Sequence, residues 1–265
     1  MGSVIAGNIL RAGYTPAVYN RTRQKTAELA AAGCAVVEEP AGLAARSDIV
    51  LVMVSDEKAM ESVLNGPFGL FRGGFSGKTL ITLSTLPVSY VRELAAQCAG
   101  AGVRFLDCPV SGSMPMAEKR QLVFLAAGED AVLNDCEAVL LAAGGCMVRA
   151  GKPPDGTALK LCVNLILAQM TAALAESVAL AGVLKIAPSS IFEVMDRSTA
   201  FNCGFFRLKR ESVLSSGPAS PRLFRNMRKD VKYMLDEAEK GGQRLPVLEA
   251  LHKVMGSADQ GSLGA

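Results

Sequence analysis

The 265-residue chain has no tryptophan, a single histidine and only 5% aromatic residues. With so few aromatics, no base-stacking platform for nucleic acid is expected. Charge is nearly balanced, at +3, so neither nucleic acid nor an acidic membrane surface is expected as a partner. With one histidine, no zinc site is expected, and His252 reads as a surface residue near a helix end. Paired cysteine spacings are missing too. Cys34, Cys98, Cys108, Cys136, Cys146, Cys162 and Cys203 stand singly. An odd number of scattered thiols argues for free cysteines in a reducing compartment, cytoplasmic or organellar. Residues 1–12 show no basic leader followed by an apolar block, so no signal peptide is expected. The longest uncharged apolar run, Leu161 to Ala175, contains Asn164 and Gln169. It is shorter than the roughly 20 residues a bilayer needs, which predicts a helix buried in protein and no membrane span.

What the chain does have is apolar content: half its residues, against one fifth charged. The length suits one large domain or two ordinary ones, with a sizeable core. Over the first 150 residues, short β-rich runs alternate with helical patterns. Strands are predicted at 17–20, 48–54, 78–84, 103–110, 122–128 and 146–151. Helices are predicted at about 3–12, at 23–33 and 56–66, from Pro87 to Gly100–Gly102, and at 129–145. Such alternation implies a parallel α/β sheet with right-handed crossovers. After "GKPPDG" (151–156) strand signals vanish, and helices are expected at 156–184, 188–196, 203–214, 221–240 and 245–255. The expected domains are 1–152, a Rossmann-like α/β unit, and 153–265, an all-α unit behind a long helix. The tail "SADQGSLGA" is expected to be poorly ordered.

Several short stretches could carry chemistry. Asn20-Arg21-Thr22 follows a strand where a dinucleotide fold reads the ribose, and Arg21 can offer a charged fork to a 2′-phosphate; taken alone, a solvated arginine beside a helix cap is the plainer reading. "SDE" (55–57) and "STLP" (84–87) also follow strands, as ligand contacts or ordinary caps. "DCPVSGSM" (107–114) places Ser111-Gly112-Ser113 in a turn whose amides and hydroxyls suit a carboxylate, or simply joins two strands. Lys160 and Asn164 lie one turn apart on a greasy helix. The lysine either snorkels to water or is buried. Burial of a lone ammonium costs several kcal/mol or lowers its pKa, as a proton-exchanging lysine requires. "FRNMRKDVKYMLDEAE" (224–239) reads as an amphipathic helix laced with i,i+4 ion pairs.

Taken in order, "MGSVIAGNILRAGY", "DCPVSGS", "GTALKLCVN" and "FRNMRKDV" resemble the β-hydroxyacid dehydrogenase family, over essentially the whole chain. That family includes 3-hydroxyisobutyrate dehydrogenases and glyoxylate and succinic semialdehyde reductases. The 6-phosphogluconate dehydrogenases are more distant relatives. The resemblance implies an NADP-dependent oxidoreductase that interconverts a small hydroxy acid and its semialdehyde or keto acid. Lys160 would be the general acid/base and Asn164 its substrate-positioning partner. Ser111, Gly112 and Ser113 would bind the substrate carboxylate. Lys229 and Asp230 would line the substrate site, with Lys229 also near the nicotinamide. Gly2 would be the last glycine of the pyrophosphate turn. Asn20, Arg21 and Thr22 would hold the 2′-phosphate, and Val54, Ser55, Ser84 and Thr85 would contact the cofactor. "NRT" resembles the NADP-using semialdehyde and glyoxylate reductases rather than the NAD-using branch. Lys160 sets the chain apart from the related imine reductases. A homodimer or homotetramer is also implied.

The chain departs from the family pattern at Cys108, usually Ala, and Ser113, usually Gly. It also lacks the family's first strand and the first two glycines of its pyrophosphate turn. The expectation is therefore an interrupted sheet, with neighbouring strands facing each other across roughly 9.6 Å, two strand spacings, and weakened NADP(H) binding and stability. An alternative is a catalytically impaired or non-catalytic dimerisation or binding homologue.

Overall fold

The structure is a computed structural model of the whole chain and describes residues 1–200, 203–216, 221–224 and 227–260. It divides into two compact units, Met1–Lys160 and Leu161–Ala265.

In the first unit, α1 (Gly2–Arg11) leads into β1 (Ala17–Val18), α2 (Ala27–Ala31), β2 (Ala35–Val36), α3 (Pro40–Arg46) and β3 (Ile49–Val52). The chain continues through α4 (Glu57–Asn65), β4 (Thr79–Thr82), α5 (Val88–Gly100), β5 (Arg104–Asp107) and β6 (Val110–Ser111). The unit closes with α6 (Met114–Glu118), β7 (Val123–Ala127), α7 (Asp130–Ala143) and β8 (Cys146–Gly151). β3, β4 and β5 run parallel in register, Val50 beside Leu80 and Leu80 beside Phe105. β4 and most of β5 are buried on both faces, while β3 buries Val50 and Val52 on one face and leaves Ile49 and Leu51 half-buried beside a cavity. Ile81, Leu83, Leu106 and Phe124 meet Ile5 and Ile9 of α1 and Leu133 and Leu140 of α7. Val50, Leu80 and Phe105 meet Met60 and Leu64 of α4 and Val91 and Leu94 of α5. Cover on both faces, partial in β3, is why these strands read as continuous apolar runs. Each such side chain contributes about 1.5–3 kcal/mol on leaving water.

The sheet departs from the expected all-parallel arrangement at one side. β7 is antiparallel to β5 and to β6, and β8 then pairs parallel with β7. The cause is chain length: only the short α6 and its flanks separate β6 from β7, too little for the usual parallel crossover. The expected interruption is present. β1 and β2 form a separate two-stranded parallel sheet, and a cavity of about 460 Å³ is lined by Ala17 and Tyr19 at β1 and by Ile49 and Leu51 of β3. Asn8, wholly buried, donates through its amide to the carbonyls of Ala117 and Ala143, 2.9 Å each, so α1 is tied to α6 and α7.

The long helix α8 (Asp155–Val183) begins in the first unit and makes up the start of the second. At 1.5 Å per residue it is about 43 Å long. α9 (Pro188–Arg197), α10 (Gly204–Ser216), a 3₁₀ turn at Pro221–Phe224, α11 (Arg228–Lys240) and α12 (Pro246–Gln260) follow. α11 packs on α12 through Val231, Met234, Leu248 and Leu251, all buried, and Arg228 donates to the Met255 carbonyl at 2.6 Å. The expected helix at 221–240 is thus a 3₁₀ turn and a later α-helix. His252 is exposed on α12. The tail expected to be loose is helical through Gln260; residues 261–265, and Arg225 and Asn226 of the "FRNMRKDV" motif, lie outside the described residues.

Candidate active site

The Ser111-Gly112-Ser113 turn carries the chain out of β6 into α6. Gly112 has φ +144°, and a Cβ there would come within 2.6 Å of Leu122 Cδ2. Leu122 is wholly buried, so the turn needs glycine both for its conformation and for space. Ser113 stands at the N-cap of α6, yet its hydroxyl makes no cap bond. Its Oγ is buried without a hydrogen-bond partner among the described residues. A buried hydroxyl left unpaired costs stability unless something else uses it.

Three residues before β6, the strand β5 ends at Asp107, which is wholly buried. Its carboxylate accepts from the backbone N–H of Thr157 and from the Thr157 hydroxyl, both at 2.7 Å. Thr157 lies in the first turn of α8, so β5 holds that helix by its start. Gly156 makes the close seat possible: a Cβ there would stand 2.5 Å from the carbonyl oxygens of Asp107 and Leu125. Burial pushes the Asp107 carboxyl up to about 6, with the Thr157 bonds pulling the other way and the Asp155 charge adding to the rise. Burial also pushes the neighbouring Cys108 thiol well up, helped by the Asp107 charge, so this thiol stays neutral and is a poor nucleophile. Three residues beyond Thr157 comes Lys160, only 7% exposed. The snorkelling alternative therefore does not describe it. Sequence reasoning passed over Asp107 and Thr157, although both stand inside motifs it singled out. The available signal was an acidic residue ending an apolar strand.

In the second unit, Asn164 of α8 donates through Nδ2 to an Asp230 carboxylate oxygen of α11 at 2.7 Å. Both are buried, at 8% and 5% exposure. Lys229 Nζ lies 3.9 Å from the other Asp230 oxygen and 5.7 Å from the centre of the Tyr233 ring. Asn164, Lys229 and Asp230 are 65 or more positions apart in sequence across this link, and the fold assembles them as one polar cluster.

The residues expected to meet a dinucleotide sit at the C-terminal ends of parallel strands and at one helix start. Gly2 opens α1, whose N-terminus has no side-chain cap. Asn20 Oδ1 accepts from the Thr22 N–H at 2.9 Å, and Arg21 between them is exposed. Ser84 Oγ accepts from the Val54 N–H at 2.8 Å and donates to the Val54 carbonyl at 3.0 Å, locking the ends of β3 and β4 together. Ser55 is exposed and Thr85 half-buried. Asp56 caps α4 by accepting from Ala59 N at 2.8 Å, so the capping reading of that stretch holds for Asp56. The 460 Å³ cavity takes in Gly2 and Asn20 but none of Val54, Ser55, Ser84 and Thr85, and its walls mix apolar side chains with Lys25, Arg46 and Asp48. Its lining runs from β1 and β3 to residues just past their C-terminal ends, Asn20 and Met53, and to the start of α1 at Gly2 and Ser3. A helix start with free amides, an exposed guanidinium and hydroxyls at strand ends fit a phosphorylated dinucleotide.

Comparisons with known proteins bear on the family and the fold. A family model for the NAD binding domain of 6-phosphogluconate dehydrogenase matches residues 1–151. A second, for the NAD-binding region of NADP-dependent 3-hydroxyisobutyrate dehydrogenase, matches residues 155–265. The chloroplastic glyoxylate/succinic semialdehyde reductase 2 of Arabidopsis thaliana is 31% identical over 254 residues, 96% of this chain and 71% of that protein. The human cytokine-like nuclear factor N-PAC is 28% identical over 254 residues, 96% of this chain, which spans 46% of that protein's length. Among solved structures, 3-hydroxyisobutyrate dehydrogenase from Salmonella typhimurium shares the fold with a TM-score of 0.86 at 23% identity, covering 98% of this chain and 91% of that one. The Mycobacterium tuberculosis enzyme of the same name, solved with L-serine, gives 0.79 at 25% identity, covering 97% and 89%. Two family models that between them span the chain, together with these relatives, establish that it belongs to the β-hydroxyacid dehydrogenase family of NAD(P)-dependent oxidoreductases.

Proposed function

We propose that the chain is an NADPH-dependent reductase of small semialdehyde or keto acids, able to run the reverse oxidation of the hydroxy acid. One observation carries this reading. A buried lysine, Lys160, stands on a helix whose first turn is gripped by β5, the strand that leads through β6 into the Ser111-Gly112-Ser113 turn. Bound NADPH supplies the hydride. Lys160 gives its proton to the carbonyl oxygen as negative charge develops there. The unpaired Ser113 hydroxyl, with Ser111 and the open backbone at Gly112, takes the substrate carboxylate. Asn164, its amide oriented by Asp230, positions the substrate oxygen, and Lys229 and Asp230 contribute to the same work, with Lys229 also near the cofactor. Gly2 receives the pyrophosphate. Asn20, Arg21 and Thr22 hold the 2′-phosphate, the basis for NADP over NAD. Val54, Ser55, Ser84 and Thr85 contact the cofactor along the strand ends.

The test is NADPH oxidation against a panel that includes glyoxylate, succinic semialdehyde and a cyclic imine. Saturable oxidation with one of the acids, and little with the imine, is expected. No oxidation with any carboxylate-bearing carbonyl would overturn the reading in favour of a second one, a non-catalytic binding or assembly module. The match to a nuclear factor over 96% of this chain supports that alternative.

We further propose a homodimer or homotetramer built on α8. Ile166, Leu180 and Val183 are 56%, 57% and 78% exposed, a poor end state for apolar side chains on one long helix. The same helix is long and apolar enough to cross a bilayer, with 39% of its most apolar stretch buried. Its buried Lys160, Asn164 and Thr171 favour a protein neighbour over lipid. A reducing compartment, cytoplasmic or organellar, suits the single thiols.

A further inference from the structure

We infer that Asp107 is the positioning residue for Lys160, fixing the height and rotation of the first turns of α8 through its two-pronged hold on Thr157. This rests on the reading of Lys160 as proton donor.

Thr157 and Lys160 are three residues apart and share a helix face, so what locks one orients the other. Two bonds of 2.7 Å reach different atoms, the Thr157 amide and its hydroxyl. A single bond leaves a helix free to pivot, whereas two at a backbone and a side-chain atom do not. Gly156 removes the remaining slack by letting the helix rest against the Asp107 and Leu125 carbonyls. The carboxylate offers an acceptor oxygen to each donor. An amide in its place would accept from the Thr157 N–H and donate to the rotated Thr157 hydroxyl, keeping both contacts but without the charge that shortens and strengthens them. The groups facing Asp107 are the Thr157 amide and hydroxyl, the Gly156 amide and the Asp155 carboxylate on α8, and the Cys108 thiol on its own segment. Keeping this carboxylate ionised in so dry a place opposes folding, so a cap serving stability alone would be better made by asparagine. The ionised form is instead suited to holding a reacting group in register, where a displacement of about 1 Å costs roughly 100-fold in rate.

The experiment compares single-turnover NADPH oxidation, substrate KM, NADPH affinity and melting temperature for wild type, Lys160→Ala, Asp107→Asn, Thr157→Val and Thr157→Ser. Asp107→Asn is expected to slow the single-turnover rate by about 10- to 100-fold, with NADPH affinity held and the melting temperature at pH 7 no lower than that of wild type. The wild-type rate should fall as pH drops through about 6, and this limb should vanish in Asp107→Asn. Thr157→Val should slow turnover, and Thr157→Ser, which keeps both donors, should restore it. A wild-type rate in Asp107→Asn, or an acidic limb that persists in it, would overturn the inference. So would loss of rate only in step with loss of melting temperature. Should Asp107→Asn fail to fold, the Thr157 pair decides: equal rates for Val and Ser would sink the idea. If Lys160→Ala itself turns over like wild type, the functional reading fails instead.

Discussion

Asp107 and Lys160 are the two charged-type side chains (Asp, Glu, Lys or Arg) that the chain buries on its way from β5 into α8, at 0% and 7% exposure. Their types were visible in the sequence, but only Lys160 advertised itself, because a lysine inside an apolar helix conflicts with its surroundings. Asp107 ends a strand, where acidic residues are common, and its partner Thr157 lies 50 positions away; nothing local connects them. The stability consequence of Asp107 has a definite sign. Its folded pKa, about 6, stands above the ordinary carboxylate value. The folded chain therefore holds this proton more tightly than the unfolded chain. The group's contribution to stability is fully present below about pH 4 and is lost as pH rises through 6. Two units correspond to about 3 kcal/mol. Asp107→Asn removes that titration. The melting-temperature advantage of Asp107→Asn over wild type is expected to be larger at pH 7 than at pH 4.5 in a thermal-denaturation series; a difference that does not change with pH would show that the carboxyl titrates normally.

Among the elements, those long enough to show a period were legible. The strands β3, β4 and β5 and the helices α5, α7 and α8 stand within a few residues of the sequence expectation. β2, α3 and α6, of two, seven and five residues, went unread because neither period repeats over so short a span. β6 was merged with β5, since Cys108 and Pro109 between them continue the apolar run. The cluster of Asn164 on α8 with Asp230 on α11 was reached only through family resemblance, and the direct bond between them was not foreseen. Replacing Asn164 by Asp would set two buried carboxylates against each other where one bond of 2.7 Å now lies. Like charges so close cannot both ionise without cost. Asn164→Asp is expected to lower the melting temperature more at pH 7.5 than at pH 5, read by circular dichroism at both. An equal loss at both values would indicate that the two groups are separated in solution.

For the molecule as a whole, the Pro153-Pro154 pair and the loss of strand signals after it put the expected boundary at 152/153, whereas the two compact units divide between Lys160 and Leu161, within α8. The reversal of β7 was hidden, because an apolar strand carries no mark of its direction and only the short connection through α6 imposes it. The exposed apolar side of α8 bears on assembly. If that side is covered by a second copy, an aspartate at Leu180 should break the contact while leaving the fold intact. Light scattering coupled to size exclusion is expected to give a dimer or tetramer mass for the wild type and a smaller mass for Leu180→Asp, with unchanged circular dichroism. A monomeric wild type at tens of micromolar would remove the proposed assembly.

The central claim is that Lys160 supplies the proton during hydride transfer, and one comparison tests it most directly. Single-turnover NADPH oxidation by a carboxylate-bearing aldehyde is measured for wild type and Lys160→Ala, beside NADPH affinity by calorimetry. The account predicts a rate lower by about 100-fold or more and an affinity within a factor of about three, since no proton moves in cofactor binding. Equal losses in rate and affinity, or an unchanged rate, would contradict it.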